Sequence, residues 1–266
     1  MNKLGFIGVG NMGSAIIKGI NGKLGNTAVF AYDSSAEKLK DLNLYGATAS
    51  SSILELAQKC DFLLLAVKPQ QLDDVLADIK RSANEKLVII SICAGISAEY
   101  IRERTFAAAK VVLVMPNTPM MIGCGASAMS RDERVSDEEF EFAKRIIGSC
   151  GVAEVVPMDK MKEVIAINGS SPAFIYVYAK GFVQYAQKVG ISEEAALRLF
   201  SQTLIGSARM MTESGMTVDE LIKQVSSPGG TTIAGLQSLY NDKLIDTVLN
   251  ACGACTKRAY ELGEKK

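Results

Sequence analysis

Along the first half of the chain, short runs of almost unbroken apolar residues alternate with stretches whose apolar positions recur every three or four residues. The runs KLGFIGV, AVFAYD, DFLLLAVKP, KLVIISICAG and KVVLVMPNTP end in glycine, proline or polar residues, as strands do when a parallel sheet is covered on both faces. The stretches between them carry helix punctuation. Ser52 to Glu55 forms a capping-box pattern, and VSDEEFEFAKRIIGSCG opens with an acidic turn and closes at Gly151. Strand and helix units in sequence predict an α/β fold, a doubly wound parallel sheet with right-handed crossovers.

Near Pro157 the period changes. The segments SPAFIYVYAKGFVQYAQKVG, SEEAALRLFSQTLIGSARMMTESG, TVDELIKQVS, TTIAGLQSLYN and KLIDTVLNACGACTKRAYELGEK all read as helices. Residues 1–157 are therefore expected to form the sheet domain and 158–266 an all-helical domain. Several of these helices are apolar around much of their circumference and carry small residues such as Ala179, Gly181, Gly206 and Gly253. That is more apolar surface than a small helical domain buries alone, so a homodimer is expected.

Composition narrows the function. The 29 Lys and Arg balance 29 Asp and Glu, which leaves no basic footprint for nucleic acid. No apolar run reaches the roughly 18 residues of a membrane span, and the start MNKLGFIGVG reads as a strand and not as a signal peptide; a cytoplasmic protein is expected. Six scattered cysteines suit buried thiols in a reducing compartment. Cys252 and Cys255 have metal-ligand spacing without further ligands, so no metal site is expected. The chain has no histidine, which excludes Ser-His-Asp, Cys-His and HExxH chemistry within it.

The first strand runs into GFIGVGNMGSAIIKGI, where Gly8, Gly10 and Gly13 have G-x-G-x-x-G spacing. In a dinucleotide-binding Rossmann turn the first glycine permits the tight turn, the second lets a pyrophosphate approach the backbone and the third lets helix pack on strand. Asn11 and Met12, at the head of that helix, are expected to join the cofactor site, because phosphates sit at helix N-termini. Asp33 ends the second strand about 20 residues beyond the last glycine, where an acid bonds the adenosine ribose; it could equally serve as a turn or N-cap residue. Read alone, Asp33 favours NAD, but Ser34, Ser35 and Lys38 follow and could equally receive a 2′-phosphate, so the residues leave NADP and NAD both open.

A second anion site is suggested by QVSSPGGTTIAGL. There a helix ends, Pro228 blocks its continuation, two glycines permit close approach, and Thr231 and Thr232 begin a new helix. Free amides at a helix start bind anions. No lysine follows the glycines, so a carboxylate fits better than nucleotide phosphates, with Ser227 and Thr232 as flanking hydroxyls. A plain helix corner capped by threonine is the alternative.

Taken together, GFIGVGNMG (5–13), AVKPQ (66–70), MPNTP (115–119), NGSSPAF (168–174) and SSPGGTT (226–232) resemble, in order and spacing, the blocks of pyrroline-5-carboxylate reductases. The resemblance implies an N-terminal Rossmann domain, a helical domain that interlocks with a second subunit, and dimers that assemble further. It implies reduction of 1-pyrroline-5-carboxylate, a cyclic imino acid, to L-proline, with NADPH the preferred expectation. Ala66, Val67, Lys68 and Pro69 would lie beneath the cofactor phosphates and nicotinamide ribose, and Ala94 and Gly95 would face the nicotinamide. Asn117 would stand near the hydride-transfer site. Ser227 and the amides of Gly229, Gly230 and Thr231 would receive the substrate carboxylate, while Thr232 would point its hydroxyl at the ring nitrogen. Leu113, Asn168 and Phe174 depart from the family's usual residues. Reduction of another cyclic imine or a β-hydroxyacid, and a ligand-sensing role without turnover, stay open at this point.

Overall fold

The computed structural model describes residues 2–264. Strands β1 (Asn2–Ile7), β2 (Thr27–Tyr32), β3 (Ala47–Ala49), β4 (Phe62–Leu65), β5 (Val88–Ser91), β6 (Lys110–Met115), β7 (Gly125–Arg131) and β8 (Gly151–Val155) form one sheet. Its order is β3-β2-β1-β4-β5-β6-β7-β8. Pairing is parallel from β3 through β6, β7 runs antiparallel to β6, and β8 is parallel to β7. The chain therefore starts in the middle of the sheet, winds to one edge, and returns to build the other half. Ligands of such sheets sit at the carboxyl ends of the strands where the order reverses. Here that point lies between β1 and β4, whose register sets Ile7 beside Leu65.

Alternation along the buried strands explains why apolar runs were needed. Leu4, Phe6, Phe62, Leu64, Val88, Ile90, Val112 and Val114 point into one core, while Ile7, Leu63, Leu65, Ile89, Val111 and Leu113 point into the other. Helices α1 (Asn11–Ile20) and α5 (Asp137–Gly148) supply the first core; α2 (Ile53–Lys59), α3 (Leu72–Arg81) and α4 (Ala98–Arg104) supply the second. Successive side chains of a strand point to opposite faces, so a two-faced sheet needs apolar residues at every position. Leu113 is thus a core side chain.

The structure departs from the sequence reading in places. β3, β7 and β8 were not predicted: β3 is three residues long, β7 (GASAMSR) is built of small and polar residues, and β8 is partly exposed. The sheet is accordingly mixed at one end. At α2, the Ser52 hydroxyl accepts from the Glu55 amide at 3.1 Å, but the Glu55 carboxylate accepts from Ser50, Ser51 and Lys59, so only half of the predicted box forms. Helix α5 has the complete box, between Ser136 and Glu139. It stops at Gly148, and Gly151 begins β8 with φ +142°, where a Cβ would fall 2.0 Å from the Gly125 carbonyl oxygen.

The remaining helices are α6 (Ser171–Lys188), α7 (Glu193–Glu213), α8 (Val218–Gln224), α9 (Thr231–Asn241) and α10 (Leu244–Glu264). Two compact units result: the chain up to Ser170 together with the chain from Ala254 onward, and Ser171–Gly253. Within the second unit, Phe182 stacks on Phe200 with ring centroids 4.2 Å apart. Among the described residues of α6 to α9, only Pro172, Ala186 and Ala196 are buried. Val177 is 73% and Leu199 68% exposed, and Tyr176 and Tyr185 are similarly open. No described helix is long and apolar enough to cross a membrane.

Candidate coenzyme and anion sites

The turn after β1 is built by its three glycines, each for a different reason. Gly8 has φ +96°, and a Cβ there would stand 2.5 Å from the Ala66 carbonyl oxygen. Its amide continues the ladder to the Tyr32 carbonyl at 2.8 Å. A Cβ on Gly13 would fall 2.1 Å from the Gly8 carbonyl oxygen, so α1 packs directly on the turn. Gly10 differs: its φ is an ordinary −76°, and a Cβ there would meet nothing within 4 Å. Gly10 is the N-cap of α1 without any side-chain cap bond. The amides that Asn11, Met12 and Gly13 contribute to the first turn lack intrahelical partners, and Gly10, which precedes them, borders open space. An anion fits there through hydrogen bonds and helix dipole together.

That space is part of a cavity of about 310 Å³ lined by Gly8, Gly10, Asp33, Ser34, Lys38, Ala66, Val67 and Lys68, and by Asp74 and Asp78 of α3. The Asp33 carboxylate lies in its wall, tied to the glycine turn. Oδ2 accepts from the Val9 amide at 2.8 Å, Oδ1 from the Ser35 amide at 2.9 Å, and Lys38 Nζ lies 3.2 Å from both. Burial pushes the Asp33 pKa up, but the Ser35 and Val9 amides and the Lys38 ammonium outweigh it and hold the carboxyl below its ordinary range. Asp33 is thus both a turn residue and a brace for the glycine turn. Lys68 pairs with no carboxylate among the described residues. The α3 acids Asp74 and Asp78 were not anticipated, because nothing in a helix sequence tells which way it faces across a cleft.

Ala94 and Gly95 follow β5. Gly95 has φ +78°, with open space where a Cβ would be. A cavity of about 490 Å³ adjoins them, lined also by Pro69, Gln70, Ile165, Ser170 and, from the end of α10, Cys255, Arg258, Ala259 and Leu262. The α10 residues were missed: an amphipathic helix end carries no sign of the wall it forms. Tyr260 fastens that end by donating to Glu163 at 2.8 Å.

Asn117 lies in the loop after β6. Its Nδ2 donates to the Asn168 carbonyl at 3.2 Å and its Oδ1 accepts from the Ala126 amide at 2.9 Å. Asn168, in a π-helical turn over Ile165–Gly169, donates to the carbonyls of Met115 at 2.6 Å and Ala126 at 3.0 Å. The two asparagines therefore staple the MPNTP and NGSSPAF blocks to β7. Asn117→Ala is expected to lower unfolding free energy by about 1–3 kcal/mol, the usual range for stranding a buried donor, in denaturant titration. Unchanged stability with a lost turnover rate would return Asn117 to direct ligand contact.

In the second unit, α8 ends at Gln224 and α9 begins at Thr231 with Gly230 as N-cap and no side-chain cap bond. Gly229 has φ +72°. The Gly230 amide donates to the Ser227 carbonyl at 3.0 Å. Ser227, Gly229, Thr231 and Thr232 are exposed, so the loop presents hydroxyls and helix-start amides to solvent.

Known proteins bear on these sites. Residues 158–262 match the family model described as pyrroline-5-carboxylate reductase dimerisation, and residues 3–95 match the one described as NADP oxidoreductase, coenzyme F420-dependent. The chain is 35% identical to the pyrroline-5-carboxylate reductase of Methanosarcina acetivorans, over 99% of this chain and 98% of that one. It is 31% identical to the Escherichia coli enzyme of the same name, over 98% of both chains. Among solved structures, Plasmodium falciparum pyrroline carboxylate reductase with NADP bound superposes with a TM-score of 0.86 at 32% identity, covering 98% of each chain.

Proposed function

Because the chain belongs to the pyrroline-5-carboxylate reductase family, we propose that its glycine turn and its SSPGGTT loop serve one reaction, reduction of 1-pyrroline-5-carboxylate to L-proline. It is an oxidoreductase of proline biosynthesis that uses a nicotinamide dinucleotide and works as a homo-oligomer. The observation that carries the site assignment is the division of labour in the turn, where Gly8 and Gly13 are filled by the fold and Gly10 is left open.

When bound, the reduced nicotinamide supplies the hydride. The residues of the chain bind and orient. Gly10 and the first amides of α1 hold the pyrophosphate, Asp33 and Ser34 the adenosine ribose, Ala66 to Pro69 the nicotinamide ribose, and Ala94 and Gly95 line the ring. The part of the chain before Met158 thus carries the coenzyme, and the part from Met158 onward carries assembly and the substrate anchor. With the Gly230 amide bonded to Ser227, the Gly229 and Thr231 amides and the Ser227 hydroxyl are the donors that face a carboxylate. A cyclic imine already protonated in water needs no strong general acid, which suits a chain without histidine. Fixing the imine carbon close to the hydride donor supplies most of the rate by proximity, while the Thr232 hydroxyl accepts a hydrogen bond from the ring N–H and orients it.

The test is the rate of NADH and NADPH oxidation by the purified protein with pyrroline-5-carboxylate. Turnover is expected with that imine, and its absence with coenzyme still bound would refute the reading. Thr232→Ala is expected to lower kcat about 10- to 100-fold, the scale on which a misoriented reacting group costs rate, with the coenzyme Kd changed less than about twofold. An equal loss of coenzyme binding would move Thr232 out of the substrate site.

A further inference from the structure

The wall of the coenzyme cleft that would meet the adenosine ribose has a fixed carboxylate at its centre. Its lining contains the carboxylates of Asp33, Asp74 and Asp78 and the ammonium groups of Lys38 and Lys68; Asp78 is ion-paired with Arg81. Asp33 is the fixed member. Its side chain is 7% exposed, and backbone amides on either side, those of Val9 and Ser35, hold one oxygen each. Turning the carboxylate away would strand both amides. Its third partner is of another kind: Lys38 is 47% exposed and reaches Asp33 from solvent, a contact of the sort that contributes little and exchanges readily.

We infer that this reductase prefers NADH to NADPH, with Asp33 as the specificity-determining residue and Lys38 as its exchangeable counter-charge. The inference rests on the coenzyme reading of the glycine-turn cleft. An ionised carboxylate only accepts hydrogen bonds. Each Asp33 oxygen already receives one amide and shares Lys38, so an incoming ribose hydroxyl displaces the lysine and donates in its place. The 2′-hydroxyl of NADH can do this. The 2′-phosphate of NADPH cannot: it brings an additional charge of about −1.5 to −2 and acceptor oxygens to an acceptor that has no room to withdraw. A like charge close by is disfavoured in a partly buried site, where screening is weak. Lys38, swung onto the phosphate, offsets part of that repulsion and sustains residual use of NADPH. Ser34 adds a hydroxyl to the same wall but no charge. This departs from the NADPH expected from the sequence resemblance, because the resemblance says nothing of how Asp33 is held.

The experiment is fluorescence titration of the full-length protein with NADH and with NADPH, without substrate, beside the steady-state kcat/KM for each. The Kd for NADH is expected to be at least about tenfold lower than that for NADPH, equivalent to about 1.4 kcal/mol. Asp33→Ser should bring the ratio to unity or reverse it, by weakening NADH and tightening NADPH. Lys38→Met should weaken NADPH at least about threefold more than NADH, and it decides the matter if the serine variant does not fold. Equal or tighter NADPH binding by the wild type, or ratios unmoved by both substitutions, would overturn the inference while leaving the reductase reading intact. Failure of the wild type to bind either coenzyme would overturn the cleft assignment and this inference with it.

Discussion

Gly10→Leu should give a folded protein that binds neither NADH nor NADPH measurably, with affinity reduced about a hundredfold or more. The backbone at Gly10 is one that any residue adopts, and a Cβ there meets no protein atom within 4 Å, so the fold loses little. What it fills is the approach to the first-turn amides of α1. Two or three charge-assisted hydrogen bonds, each about 1.5–3 kcal/mol, are then out of reach, and each 1.4 kcal/mol is a tenfold change in affinity. The same substitution at Gly8 or Gly13 should instead unfold the domain, since a Cβ at either would press on a backbone carbonyl. Circular dichroism separates the cases, and fluorescence titration reads the binding. Normal coenzyme affinity in a folded Gly10→Leu protein would sink the assignment of the turn.

At micromolar concentration, sedimentation should show no folded monomer, and the unfolding midpoint should rise with protein concentration as linkage to assembly requires. The helical unit explains why. Side chains such as Val177, Leu199, Tyr176 and Tyr185 stand largely exposed while α6 to α9 bury only Pro172, Ala186 and Ala196. Burying one large apolar side chain is worth about 1.5–3 kcal/mol, so a handful against a second copy is comparable to the whole stability of a typical domain, about 5–15 kcal/mol. A homodimer is the smallest assembly that covers this surface. Val177→Asp combined with Leu199→Asp is expected to abolish it and leave unfolded or aggregated chain. A stable, folded monomer with a concentration-independent midpoint would refute the assembly.

The sequence disclosed the parts of the fold that obey one strong rule. Strands buried on both faces, such as Phe62–Leu65, are apolar at every position and cannot be mistaken for loops. β7 could not be read, because its neighbours accept small and polar side chains and its antiparallel direction leaves no mark in the residues. The glycine turn was legible in spacing, but not the difference between Gly10 and its companions, which depends on where Ala66 comes to lie. Asp33 was expected to end β2 and lies one residue past it, β2 closing at Tyr32, whereas its bond to the Val9 amide spans 24 positions and is a property of strand order. The staple between Asn117 and Asn168 is of the same kind. Residues 51 apart in the chain show no local sign of each other, and the asparagine that departs from the family's usual residue is the one that supplies both donors to neighbouring carbonyls.

The open space beside Gly10 also bears on descent. Gly8 and Gly13 are held by folding, so any descendant that keeps the domain must keep them. On the proposed coenzyme reading, Gly10 is held mainly by the coenzyme. A gene copy released from catalysis would be free to replace Gly10 while its protein still folded and assembled. Among duplicated copies of such a gene, residue 10 therefore records whether selection for coenzyme binding has lapsed, and it does so before the flanking glycines show any change.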